Sequence, residues 1–98
     1  MLRHVVVFRW SPETRPEQVA ALRDGLAALP GLVPEIRAYA FGSDAGLKPE
    51  NGDFAVVADF DDVDGYRRYA DNPDHRAVVT DLVAPIVASR SAVQFEID

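Results

Sequence analysis

Residues 2–10, Leu-Arg-His-Val-Val-Val-Phe-Arg-Trp, are β-branched and aromatic with no Gly or Pro, which predicts a strand. Its centre is apolar at odd and even positions alike, the pattern of a central strand covered on both sides. Ser11-Pro12-Glu13 ends it. Thr14 then offers a cap, Pro16 sits in a first helical turn, and Glu17 is placed to complete a capping box. Val19, Leu22, Leu26 and Leu29 fall on one helical stripe, and Leu29-Pro30-Gly31 predicts its end.

Period-two alternation returns twice. Ile36–Gly42 predicts a second strand with Tyr39 and Phe41 on one side and Ile36, Ala38 and Ala40 on the other. Asp53–Phe60 predicts a third, with Phe54, Val56, Ala58 and Phe60 on one side. Between them, residues 43–52 are polar and interrupted by Gly and Pro, as a loop requires. Asp61-Asp62 offers another cap, followed by an apolar stripe of Val63, Tyr66, Tyr69 and Ala70. Asn72-Pro73 breaks that helix, and Asn72 or Asp74 caps a further one through about Leu82, with Val78, Val79 and Leu82 inward. Pro85 ends it, and Ser89–Ile97 predicts the last strand.

The order is β-α-β-β-α-(α)-β. Two split βαβ halves in one 98-residue domain, residues 1–98, describe a ferredoxin-like α+β sandwich. Helices cover one face of its sheet. The face inferred to meet them carries His4, Val6 and Phe8. The other face carries Val5, Val7, Ala55 and Val57 among Arg3, Arg9, Asp53 and Asp59. A second copy of the sheet is the economical cover, because a two-fold interface reuses one patch. A homodimer is therefore expected.

Composition narrows the function. Ten basic and sixteen acidic side chains leave a net charge of −6, which disfavours nucleic acid and anionic membranes as partners. No apolar run is long enough to span a bilayer, and no signal-peptide pattern opens the chain. A soluble cytoplasmic protein is expected. With no Cys and two His, neither a disulfide nor a structural metal site is expected, and no cofactor fingerprint is visible. The acidic group Asp59, Asp61, Asp62 and Asp64 lacks the Gly and terminal Glu of a calcium loop, and helix capping explains it better.

The remaining candidates are few. His4 lies mid-strand on the helix-facing side, either a neutral core residue or a general base set by burial. His75 lies at a helix start, where the dipole disfavours imidazolium; it is either a capping surface residue or a proton acceptor. Tyr69 and Tyr66 share the inward stripe, as core residues or as hydroxyl donors to a developing oxyanion.

Arg3-His4-Val5-Val6-Val7-Phe8, the Pro-Glu-Gln helix, Phe54–Phe60, the run Tyr66-Arg67-Arg68-Tyr69-Ala70-Asp71-Asn72-Pro73-Asp74-His75 and the closing Gln94-Phe95-Glu96 together carry a resemblance. The chain resembles the stress-responsive A/B barrel (Dabb) family of the dimeric α+β barrel superfamily. That resemblance implies a homodimer with a central β-barrel. Some plant members are polyketide cyclases of the olivetolic acid cyclase type, in which a His and a Tyr perform acid–base chemistry on a linear poly-β-keto thioester. Carried over by position, their pattern implies His75, Tyr69 and His4 as catalytic residues. Pocket positions fall on Leu22, Leu26, Phe54 and Val56. The cyclases have bulky aromatics where this chain has Leu22 and Leu26, and a polar ring where it has Phe54. What carries over is a small apolar pocket for a carbonyl-containing ligand.

Three functions follow from these readings. One is a lyase or cyclase in which His75 takes a proton from a carbon next to a carbonyl, Tyr69 stabilises the oxyanion and His4 orients or assists. The second is a non-catalytic dimeric protein that binds a small ligand or serves a stress-related role. The third, by superfamily analogy alone, is a cofactor-free monooxygenase.

Overall fold

The breaker-free run at the start of the chain becomes a strand paired on both edges. In the computed structural model, which describes residues 1–98, β1 (Leu2–Trp10) lies between β3 (Phe54–Phe60) and β4 (Val87–Glu96). β2 (Ala38–Ser43) is added outside β3, giving a four-stranded antiparallel sheet in the order β2-β3-β1-β4. Three helices, α1 (Pro16–Leu32), α2 (Val63–Asp71) and α3 (Pro73–Val78), cover one face. This is the expected ferredoxin-like α+β fold. No helix is long and apolar enough to cross a membrane.

Period two decides which side chains meet the helices. Val6, Phe8, Phe54, Val56 and Phe60 pack beneath Leu22, Leu26, Leu29 and Val33 in one buried cluster. Wherever one face is buried, a register slip of one residue would turn that whole set to solvent, so the pairing is strongly specified.

The boundaries differ from the sequence reading for local reasons. Thr14 does not cap α1. The N-cap is Arg15, whose N–H donates to Gln18 Oε1 at 2.9 Å, so the box closes one residue later than the Thr14/Glu17 reading placed it. Pro30 does not stop α1; the helix runs to Leu32. A proline near the end deprives only the Leu26 carbonyl of its bond, while Val33 N–H closes on the Leu29 carbonyl at 2.8 Å. Val63 is 42% exposed and not inward. Asn72 is the residue that caps α3, accepting from the Asp74 N–H at 2.8 Å. The expected helix to Leu82 is two pieces. α3 ends at Val78 and a π-helical turn spans Val79–Val83, closed by Ala84 N–H donating to the Val79 carbonyl at 2.9 Å.

The face away from the helices is open. Arg3 and Asp59 oppose each other in register, and the guanidinium donates to both carboxylate oxygens at 2.8 and 2.9 Å. That pairing holds the Asp59 carboxyl below its ordinary pKa. Val57, Val5 and Val93 stand side by side across three strands, and Val93 and Phe95 are 54% and 45% exposed.

Candidate active site

His4 stands in the helix-facing row of β1 between Leu2 and Val6, and its neighbours across the sheet decide what surrounds it. Register places His4 opposite Gln94 on β4 and Ala58 on β3. The Gln94 amide Nε2 donates to His4 Nδ1 at 2.8 Å, which leaves the neutral ring carrying its proton on Nε2. The ring is nearly fully buried, and its centroid lies 5.0 Å from that of Tyr66 and 6.3 Å from that of Tyr69. Burial first, then the nearby charge of Arg90 and the His75 ring, lowers its pKa to about 4.

The break at Asn72-Pro73 brings the second histidine to the same place. By restarting the helix immediately, it turns His75 back over α2, so that its ring packs at a centroid distance of 4.0 Å on Tyr69. His75 Nδ1 lies 3.4 Å from the Ala70 carbonyl, which can only accept, so this nitrogen carries the proton and Nε2 keeps its lone pair. The His75 pKa is lowered, mainly by burial and further by Arg90, against the opposite pull of the Ala70 carbonyl. Burial, rather than the helix terminus invoked from the sequence, is the main cause.

The Tyr69 hydroxyl is buried and lies 2.8 Å from the hydroxyl of Tyr39 on β2. Burial raises the pKa of both phenols, so both stay protonated at neutral pH. One hydroxyl of the pair donates to the other, and one proton is left for a third group.

These side chains line a single cavity of about 250 Å³. His4, Tyr39, Tyr66, Tyr69 and His75 supply its polar groups, together with Arg90 of β4. Its body is apolar: Leu22 and Leu26 from α1, Val56 from β3, and Val79 and Val83 from the π-helical turn. The wider π turn thus forms part of the wall, a place where such turns recur.

His4, Tyr69, His75, Leu22, Leu26, Val56 and Tyr66 are therefore brought together. Phe54 is not. It lies 2% exposed in the core, stacked on Phe41 at 6.5 Å and tilted against Trp10 at 5.7 Å, outside the cavity. Sequence reasoning missed Tyr39, Arg90 and Gln94. Tyr39 had a signal, its shared parity with Phe41. Gln94 had only its place in the closing Gln94-Phe95-Glu96 run, and Arg90 had no signal without the β1/β4 register.

The acidic residues near β3 are engaged elsewhere. Asp61 accepts from Arg37 at 2.9 and 3.0 Å, and Asp62 caps the Gly65 N–H at 2.8 Å. No three His, Asp or Glu side chains are gathered closely enough to hold a metal ion.

The profile of the Stress responsive A/B Barrel Domain matches residues 2–97. The chain belongs to this family. A dimeric ferredoxin-like protein of unknown function from Thermobifida fusca is 49% identical to this Dabb chain. That crystal structure superposes with a TM-score of 0.91 over 98% of this chain and 90% of the other. An uncharacterized protein of Streptomyces coelicolor is 28% identical over 81 residues, covering 81% of this chain and 84% of that protein. A hydroxynitrile lyase from Passiflora edulis shares the fold with a TM-score of 0.85 over 99% of this chain and 93% of its own, at 17% identity.

Proposed function

We propose that this Dabb protein is a small-molecule acid–base catalyst of lyase or cyclase type, acting on a carbon next to a carbonyl. The observation that carries the reading is the cavity itself. It holds two imidazoles kept neutral by burial and a pair of phenol hydroxyls kept protonated, inside otherwise apolar walls. His75 Nε2 takes the proton from the acidic C–H. The proton left over on the Tyr39–Tyr69 pair is donated to the oxygen where negative charge develops. His4, held by Gln94, presents its N–H to the ligand and orients it. The Passiflora edulis lyase supports the capacity of this fold to host lyase chemistry.

The working unit in this reading is a homodimer, as the Thermobifida fusca relative is described to be. The open sheet face, with Val5, Val57, Val93 and Phe95 uncovered by helices, is the surface a second copy would cover.

The test is hydrogen–deuterium exchange at the α-carbon of β-keto acids and aromatic polyketide analogues, followed by proton NMR in D₂O. Catalysed exchange by the native protein, reduced about 10²–10⁴-fold in His75→Ala, is the expected result. Exchange at the uncatalysed rate, with ligands still raising the melting temperature, would make the protein a non-catalytic ligand-binding dimer.

A further inference from the structure

We propose that the cavity takes small carboxylates, and that Arg90 recognises them. This deepens the reading above and rests on it: if the cavity is the substrate site, its substrate is a free acid and not a neutral ester or thioester.

The argument starts from register. Arg90 pairs with Phe8 across β1 and β4, and Phe8 is buried under the helices, so Arg90 stands on the same side of the sheet. There it forms part of the cavity lining. Five of the nine arginines have acceptors: Arg3, Arg15, Arg37 and Arg68 pair with carboxylates, and Arg9 donates to the Glu50 carbonyl; Arg23, Arg67, Arg76 and Arg90 have none, and of these only Arg90 lines the cavity. Arg90 has neither an ion pair nor a hydrogen bond within the chain, although the chain carries sixteen acidic residues. None of those acids lines the cavity.

The site therefore holds one unbalanced positive charge, against neutral imidazoles and protonated phenols. A guanidinium is a planar fork that matches a carboxylate by two parallel N–H···O bonds, and Arg90, though itself exposed, has both edges of that fork free to offer. One guanidinium with no second cation suits a singly charged anion. With the carboxylate seated on Arg90, the apolar remainder of the molecule has Leu22, Leu26 and Val56 to bury against. The field of Arg90 also disfavours protonation of both His4 and His75, and a bound carboxylate would cancel that effect.

The experiment compares phenylacetate with phenylacetamide, an uncharged molecule of nearly the same shape, by calorimetric titration at pH 7.5. The proteins are the native chain, Arg90→Gln and Arg23→Gln, the last removing an exposed helix charge that is not part of the cavity lining. Arg90 makes no internal bonds, so its variant is expected to melt as the native protein does. Phenylacetate should bind the native chain about tenfold or more tighter than the amide. Arg90→Gln should bring the two within about twofold while leaving the amide unchanged, and Arg23→Gln should keep the native preference. The His75 ring should also titrate at higher pH with phenylacetate bound than with the amide. Equal affinity of acid and amide for the native chain overturns the carboxylate inference and leaves the cavity's reading intact. A preference that survives Arg90→Gln, or that Arg23→Gln abolishes as fully, also overturns it. Binding of neither molecule overturns both.

Discussion

The hydroxyls of Tyr39 and Tyr69 meet at 2.8 Å and join the edge strand β2 to helix α2 through buried ground. Each is the partner that makes the other's burial tolerable. Removing one hydroxyl forfeits the bond and leaves the second unsatisfied, whereas removing both leaves two apolar rings in contact. Tyr39→Phe and Tyr69→Phe should each lower the unfolding free energy by about 1–2 kcal/mol, and the double variant by less than their sum. Urea denaturation of the four proteins measures this. Strict additivity would show that the bond does not exist in solution.

The histidines set a pH window. Burial lowers the His4 pKa from 6.5 to about 4 and lowers that of His75 as well. Between the unfolded and folded pKa values the unfolded chain binds more protons, so stability rises with pH there. The contribution is fully present above about pH 6.5 and is lost as pH falls toward about 4. Denaturation at pH 7.5, 6.0 and 5.0 should show the decline, and His4→Gln should flatten it. Asp59, lowered by Arg3, acts in the same sense but only below the ordinary carboxylate pKa.

Gly52 is needed for space. A Cβ there would stand 2.4 Å from Val7 Cγ1 and 3.3 Å from the Phe8 carbonyl oxygen. The neighbouring Asp53 N–H donates to that same carbonyl at 2.8 Å, so the loop cannot simply move away. Gly52→Ala should destabilise by about 1–3 kcal/mol, read as a lowered melting temperature. An unchanged melting point would mean that the loop stands further from β1 than it does here.

Val57 lies at the centre of the open face, flanked in register by Val5 and Ala40. In a two-fold interface any charge placed there is buried twice. Val57→Lys should shift the sedimentation coefficient at micromolar concentration from dimer to monomer. A native chain that sediments as a monomer would refute the dimer itself.

Most of the fold was readable along the chain. β1 announced itself by a breaker-free β-branched and aromatic run, β3 by alternation and α1 by its Leu stripe, because period and breaker chemistry act over a few residues. The errors arose where two local signals competed. Pro30 reads as a stop, yet a helix's last turn has little left to lose. Thr14 and Glu17 read as a box, yet Arg15 and Gln18 form it one step later. The run after Val78 reads as helix, yet it widens into a π turn before Pro85. Of the candidate site, His4, Tyr69 and His75 were legible from type, parity and family likeness. Phe54 was misplaced because parity gives the side of the sheet but not the position along it: the cavity ends at Val56, and the next inward residue is sealed by Trp10 and Phe41.

What the sequence by itself determined is the order of elements, the inward face of most of them, and the presence of His4 and two tyrosines on inward faces. Those are consequences of local periodicity. What only the tertiary structure decided is which polar groups share one cavity. Gln94 reaches His4 across 90 residues of chain, Tyr39 reaches Tyr69 across 30, and Arg90 comes over Phe8 by strand register. Register is set by burying a whole sheet face at once, so no segment carries it alone.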